Sequence, residues 1–222
     1  MKIDLHVHTK EISNCGRLTC GEVVELYSKS GYDAIVITNH FSRQELTTFT
    51  KKGGTDFHKT YFDTIRKAQE LGKEHNLLVL GGMELRFDDS ANDYLVFGMT
   101  ETLAEDMEKF FAMSPADFSA FAQEHGILFY QAHPFRNSMK VVDPKLLFGI
   151  EICNTHPRHD SRNDIAQAWA EKYDLHKIGG SDCHQIQDVG TSFIQTDYPV
   201  KNSDDLIHVL KNDLYTIGVT GK

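Results

Sequence analysis

The chain is short of cysteine. Its four, Cys15, Cys20, Cys153 and Cys183, include no CxxC pair, so neither a thiolate metal knuckle nor a disulfide-knitted scaffold is expected. The five prolines are scattered, and no Pro/Gly/Ser-rich tract, low-complexity segment or internal repeat divides the chain, so residues 1–222 read as a single domain. No apolar run approaches the roughly 18 residues that a membrane-spanning helix requires. Met1 to Thr9 already mixes Lys2, Asp4, His6 and His8 with apolar positions, unlike an export signal. A cytoplasmic location, reduced thiols and no membrane partner are therefore expected. Positive charge is scarce too: 23 Lys and Arg against 32 Asp and Glu give a net charge of −9. That excludes a bulk basic field for nonspecific nucleic-acid binding and leaves room for a local cationic site. No GxGxxG follows the first apolar run, which ends in HVHT, and no GxxxxGKS/T occurs, so dinucleotide and P-loop nucleotide sites are unsupported.

What the chain has in excess is histidine, 12 residues of it. Their placement depends on a coarse reading of the elements. Short β-rich runs at 2–8, 34–40, 77–87, 94–99, 127–133, 148–154 and 177–182 read as strands. Stretches at 20–30, 61–75, 115–124, 161–172 and 203–211 show helical spacing of apolar residues. Strands alternating with helices predict parallel βαβ units, as a barrel or a doubly wound sheet.

Most of these strands finish on a metal-ligand residue: His6-Val7-His8, Thr38-Asn39-His40, Gly82-Met83-Glu84, Ala132-His133-Pro134 and Ser181-Asp182-Cys183-His184. In a parallel barrel the carboxyl ends of the strands share one rim, so these side chains would converge there. His6 and His8, two residues apart on a strand, should leave the same face, with Leu5 and Val7 on the other. Imidazoles mixed with carboxylates suit Zn²⁺, Mn²⁺ or Fe, and Glu84 can bridge two ions. Neutral His6, His8, His40, His133 and His184 with ionised Glu84 and Asp182 supply about two negative charges against four from two divalent ions, a surplus that attracts an anion. Such a pair can hold hydroxide at neutral pH and clamp the attacking and leaving oxygens of a phosphoryl displacement. Core packing alone gives no reason for this recurrence at successive strand ends. His58, His75, His125, His176 and His208 fall in helical or connecting contexts and are expected to face solvent.

The order DLHVHT at 4–9, ITNH at 37–40, GMELR at 82–86, AHPFR at 132–136 and GSDCH at 180–184 resembles the PHP family, named for polymerase and histidinol phosphatase proteins. The resemblance spans nearly the whole chain. It implies an α/β fold, a distorted (β/α)7 TIM-like barrel, with two or three divalent metal ions and hydrolysis of a phosphoester, a phosphomonoester or a nucleotide. By the same resemblance His6, His8, Glu84 and Asp182 hold one ion at the reacting centre. Glu84 and His133 hold a second, and His40 and His184 a third. Two departures accompany it. The loop after HVHT offers only Glu11, Asn14 or Cys15 where relatives place an acid or histidine, and Asp93 stands where an imidazole is common. Arg136 and Arg158 are candidate grips for a phosphate, with Asn154 beside them. Lys10 is a further candidate anion contact, and His156 or His159 could protonate a leaving group. Glu151 is a candidate to orient a ligand imidazole through its second nitrogen. A small phosphorylated substrate or a nucleic-acid end is the expected partner. The rivals are a noncatalytic or regulatory metal-binding module and an amide or ester hydrolase of barrel type.

Overall fold

A computed structural model describes residues 1–220. Its strands are β1 (Lys2–Val7), β2 (Ala34–Ile37), β3 (His40–Phe41), β4 (Leu78–Gly81), β5 (Met83–Leu85), β6 (Tyr94–Phe97), β7 (Leu128–Gln131), β8 (Gly149–Asn154), β9 (His176–Gly180), β10 (Ser192–Gln195) and β11 (Thr216–Val219). Its helices are α1 (Cys20–Ser28), α2 (Arg43–Lys51), α3 (Phe57–Glu74), α4 (Met107–Ala112), α5 (Pro115–His125), α6 (Asn163–Tyr173) and α7 (Ser203–Lys211). Every run expected as a strand forms one, and the second and third each break in two. No helix among the described residues is long and apolar enough to cross a membrane.

The strands form two ladders, β11-β10-β1-β2-β4 and β3-β5-β6-β7-β8-β9, which join at both margins. On one side Gly82 N donates to Ile37 O (2.9 Å) and Glu84 N to Asn39 O (3.0 Å), carrying the first ladder into the second. On the other, a parallel bridge pairs Val7 with Cys183 just past β9, through His8 N to Cys183 O (2.9 Å) and Cys183 N to His6 O (3.1 Å). The result is a distorted α/β barrel. Its distortion has a local cause: β10 pairs antiparallel with the first half of β1, so β9 reaches β1 only at the rim.

The ring also departs from the parallel arrangement expected. β6 is antiparallel to both β5 and β7. Only residues 86–93 separate β5 from β6, too few for a helical crossover, so the chain returns as a hairpin. β6 therefore brings its amino end, with Asp93, to the rim where its neighbours β5 and β7 bring their carboxyl ends.

Alternate strand residues supply two apolar layers. Ile3, Leu5, Ala34, Val36, Leu95, Phe97, Leu128 and Tyr130 pack with Leu206, Val209 and Leu210 of α7, which closes the end of the barrel opposite the rim. Ile35, Ile37, Val79, Val96 and Phe129 face outward against Val23 and Tyr27 of α1, Tyr61 and Ile65 of α3, and Phe118 of α5. β1 changes this alternation midway. Asp4 pairs with Ile35 and Val7 with Ile37, so β1 carries one residue more than β2 over that span. Leu5 thus lies in the inner layer and Val7 in the outer one, not on one shared face, and the bulge turns His6 and His8 toward the rim.

Asp4 fastens that bulge. It is fully buried; Tyr27 Oη donates to Oδ2 (2.7 Å), while Oδ1 accepts His6 N (3.1 Å) and Ser181 N (3.0 Å). Burial pushes its carboxyl above the usual range, against the donors from Ser181, Tyr27 and His6. A raised carboxyl favours folding fully below its unfolded pKa, and that contribution is lost as pH rises through the folded value. Asp4→Ala, which strands three donors, is expected to cost about 3 kcal/mol in urea unfolding. Asp4→Asn should flatten the corresponding part of the pH–stability curve. A loss under about 1 kcal/mol for the alanine variant would show that the donors find other acceptors.

Candidate metal centre

Glu84 sits at the middle of the rim, 1% exposed. His40 is its register partner across β3 and β5, which puts His40 Nδ1 2.8 Å from Glu84 Oε2. His8 Nε2 lies 3.3 Å from the same oxygen; His133 Nε2 and His6 Nε2 approach Oε1 at 3.1 and 3.4 Å. Asp182 faces this group from the segment after β9, its Oδ1 3.5 Å from His6 Nε2 and 3.3 Å from both His8 Nε2 and His184 Nδ1. All seven side chains expected to bind metal thus meet at one end of the barrel. His6, His8 and Asp182 form one close group, His6, Glu84 and His133 another, and His8, His40 and His184 a third.

The backbone is bent to achieve this. His133 and Asp182 are non-glycine residues with positive φ, 28° and 54°, conformations that cost on the order of 1 kcal/mol each and tend to persist where function requires them. Gly180 is equally constrained: a Cβ there would fall 2.4 Å from His6 Cβ and 2.9 Å from His6 N, so only glycine lets the end of β9 cross β1.

Surrounding acceptors fix the imidazole tautomers. Glu151 Oε1 lies 2.9 Å from His6 Nδ1, while Oε2 accepts His133 N (2.9 Å) and Asn154 Nδ2 (3.0 Å). One buried carboxylate therefore orients two members of the cage. Ser13 Oγ donates to Asn39 Oδ1 (3.0 Å) and so accepts from His8 Nδ1 (3.1 Å). With protons on both Nδ1 atoms, His6 Nε2 and His8 Nε2 present bare lone pairs to the centre. Both are buried without a hydrogen-bond partner among the described residues. Buried acceptors facing carboxylates instead of donors are costly, and a cation between them relieves the cost. Imidazole nitrogens and carboxylate oxygens are the donor set of Zn²⁺, Mn²⁺ and Fe²⁺, so the residues present fit divalent ions.

Burial lowers the His6 imidazole, but Asp182, Glu151 and Glu84 outweigh it and hold it well above its usual range, so a cation in the cage would take the place of a second proton on this ring. Burial pushes the Glu84 carboxyl up, but His40, His6 and His133 outweigh it and hold it well below the usual range. Asp182 is likewise pushed up by burial and brought well below by His6, His8, His184 and Arg136. Burial and neighbouring His184 keep His8 neutral at ordinary pH. Burial opposes the Cys15 thiolate, yet hydrogen bonds to His184 and His40 bring this thiol down to about 7.

Above the cage opens a cleft of about 620 Å³, lined by Arg17, Arg86, Arg136, Arg158, His156 and His159 among others. Most of these arginines are committed within the protein. Arg136 Nη2 bonds Asp182 Oδ2 (2.9 Å), Asn154 Oδ1 (2.8 Å) and Ser161 Oγ (3.1 Å). Asn154 Nδ2 meets Asp182 Oδ2 as well (3.2 Å). Both therefore steady a cage carboxylate, and Asn154 lies outside the cleft lining. Arg158 forks onto Asp188 at 2.9 and 2.6 Å. Arg86 holds both oxygens of Asp93 at 2.7 Å, and a ligand oxygen of Asp93 lies within 4.8 Å of ligand atoms of His40 and Glu84, beside the cage where the sequence put it. His156 is brought down to about 4, chiefly by burial, so at neutral pH it is uncharged and, contrary to the expectation from sequence, holds no extra proton to give a leaving group. Lys10 is exposed and does not line the cleft.

Arg17 went unread in the sequence. It is exposed on the cleft wall, tied beside the cage by Arg17 N to His184 O (2.7 Å), and its guanidinium has no acidic partner among the described residues. No motif marks it; only the fold of the loop after HVHT brings it there. Of the histidines left aside, His75, His125 and His208 are exposed, and His58 and His176 are half-buried.

A distorted α/β barrel with a histidine–carboxylate cage at its rim defines the class, and comparison with known proteins agrees. A model of the PHP domain matches residues 4–183, and a model described as PHP-associated matches residues 160–213. The chain belongs to the PHP domain family. An uncharacterized protein of Methanocaldococcus jannaschii is 27% identical over 129 residues, 53% of this chain and 52% of that protein. The chain thus spans about half the length of this curated relative. A two-domain protein of Bacteroides vulgatus, described as containing a predicted PHP-like metal-dependent phosphoesterase, superposes with a TM-score of 0.69 at 18% identity, over 99% of this chain and 64% of that one. The lesion-specific endonuclease of Pyrococcus furiosus does so with a TM-score of 0.59 at 12% identity, over 95% and 56%. At these identities the likeness is one of fold.

Proposed function

We propose that the protein is a metal-dependent phosphoesterase, acting on a phosphomonoester or a nucleotide, with residues 1–222 forming one domain. The observation that carries this reading is the pair of buried lone pairs, His6 Nε2 and His8 Nε2, aimed between Glu84 and Asp182 at the floor of an arginine-lined cleft. Bound in the cage, divalent ions supply a water activated at neutral pH and neutralise charge on phosphoryl oxygens. The protein's own groups do the rest. His6, His8, Glu84 and Asp182 hold the centre, His133 extends it through Glu84 Oε1, and Glu151 and Ser13 keep the imidazole lone pairs aimed inward. Arg17 is the guanidinium free to grip the substrate phosphate bidentately, since Arg136 and Arg158 are held by Asp182 and Asp188.

The cleft volume and the net charge of −9 favour a small phosphorylated substrate over a long polyanion. A nucleic-acid end is the second reading, favoured by the resemblance of fold to the endonuclease. The four free thiols accord with a reducing, cytoplasmic setting.

The test joins elemental analysis of purified protein to a panel of phosphomonoesters, nucleotides and oligonucleotides assayed in Mn²⁺ and Zn²⁺. Phosphate release that disappears on chelation and returns with metal is the expected result. Full metal occupancy with no hydrolysis across the panel would instead mark a noncatalytic module. Turnover confined to amides or carboxyl esters would move the reaction to another bond.

A further inference from the structure

We propose that the substrate of this site is the phosphate ester of a hydroxylated alcohol, of the sugar or polyol class, and that a wall formed by Asn137, Ser138, His159 and Asp160 reads its hydroxyls. This deepens the phosphoesterase reading and rests on it. The wall belongs to two loops, one after β7 and one after β8, and Arg162 joins them. Its Nη1 donates to Phe135 O and its Nη2 to Asn137 Oδ1, both at 2.6 Å, while its own amide donates to Asp160 Oδ1 (3.0 Å). The far end of the first loop is fastened as well: Lys140 N donates to Asn92 Oδ1 and Lys140 O accepts Gln131 Nε2, both at 2.8 Å, and both partners are buried. The backbone under these four exposed residues is thereby pinned where it lines the cleft, so their ordering is not left for the substrate to impose.

The wall presents donors and acceptors together. With the bonds to Arg162 made, Asn137 Nδ2, Ser138 Oγ and Asp160 Oδ2 have no hydrogen-bond partner among the described residues. His159 stacks on His156 with ring centroids 4.9 Å apart, and burial and Arg136 hold its imidazole below the usual range, so near neutral pH it offers one donor and one acceptor. A hydroxyl both gives and takes a hydrogen bond, so neighbouring hydroxyls match such a mixture, whereas the Asp160 carboxylate would repel a second phosphate. Among the described residues no Phe, Tyr or Trp lines the cleft, and Met139 is its one large apolar side chain. A nucleobase or an apolar leaving group therefore finds little surface to pack on and desolvates polar atoms that it does not satisfy.

The test compares kcat/KM of the Mn²⁺-loaded protein for glycerol and hexose phosphates, for nucleoside monophosphates, and for propyl phosphate, which matches glycerol phosphate in size but lacks its free hydroxyls. The hydroxylated esters are expected to lead both other classes by at least about tenfold. Asp160→Ala should narrow the lead over propyl phosphate to within about threefold. Asp160→Asn, which keeps an acceptor for the Arg162 amide and turns the other position into a donor, should narrow it as well. Because the lead is a ratio within one protein, altered folding or metal content cancels from it. Equal turnover of propyl and polyol phosphates by wild type, or nucleotides preferred to both, would overturn the hydroxyl-reading wall and leave the phosphoesterase reading standing, as would a lead unchanged in both Asp160 variants. No phosphate released from any of these esters by metal-loaded protein would overturn the reading on which the proposal rests.

Discussion

Glu84→Ala protein is expected to hydrolyse its phosphoester at least about 10³ times more slowly than wild type and to emerge from purification depleted of metal. Among the described residues, no other side chain is approached this closely by four imidazoles. His6 and His133 meet one oxygen, His8 and His40 the other. On the proposed reading, removing the carboxylate would withdraw a ligand from two ions at once, together with the negative charge that sets the imidazoles around it. Glu84→Gln is the sharper variant, since it keeps the volume and one acceptor but loses the charge and the bridging geometry. Elemental analysis beside steady-state rates checks the outcome. A Glu84→Ala protein with full metal content and a rate within about tenfold of wild type would remove Glu84 from the centre.

Glu151→Ala is expected to weaken metal binding by about 10–100-fold without touching an ion directly. Its two oxygens hold His6 Nδ1 and the amide of His133, and through Asn154 they reach Asp182 Oδ2. Loss of the carboxylate frees the His6 ring to turn and exchange tautomers, and leaves a buried amide without an acceptor, at a cost of about 1–3 kcal/mol. Glu151→Gln should fall between, because one amide end can still accept from His6 while the other would set a donor against the His133 amide. Competition with a chelating dye reads the affinity directly. Unchanged affinity in the alanine variant would make Glu151 a packing residue only.

The cage was legible in the sequence because its chemistry is local at each strand end. HVHT, TNH, GMEL, AHP and SDCH each place an imidazole or carboxylate where a strand meets the rim, and strand periodicity is a short-range property. The supporting network was harder to read. Ser13 orients His8, and Asn39 accepts from Ser13, through contacts that only the closed fold creates. Arg136 illustrates the difficulty: three residues past His133 it reads as a phosphate grip, yet the turn after β7 points it back at Asp182. Helix α4 was missed because it has only six residues, and α2 because it is rich in threonine and its one buried residue is Glu45, which leaves no apolar stripe to read. β10, SFIQ, and β11, TIGV at the edge of its ladder, were missed because each has four residues with polar or glycine positions breaking the apolar run. The reversal of β6 was written in loop length, the short span between Leu85 and Tyr94, more than in any residue type.

The seam at which Val7 meets Cys183 has a consequence for the newly made chain. His6 and His8 emerge from the ribosome first and Asp182 among the last of the cage residues, so the coordinating groups gather only once the ring has shut. A half-synthesised chain offers a cation the same imidazoles without the enclosure, and metal affinity that depends on folding stays weak until then. On the proposed reading, capture of metal would in this way be the final act of assembly, possible only once the two ends of the ring have met.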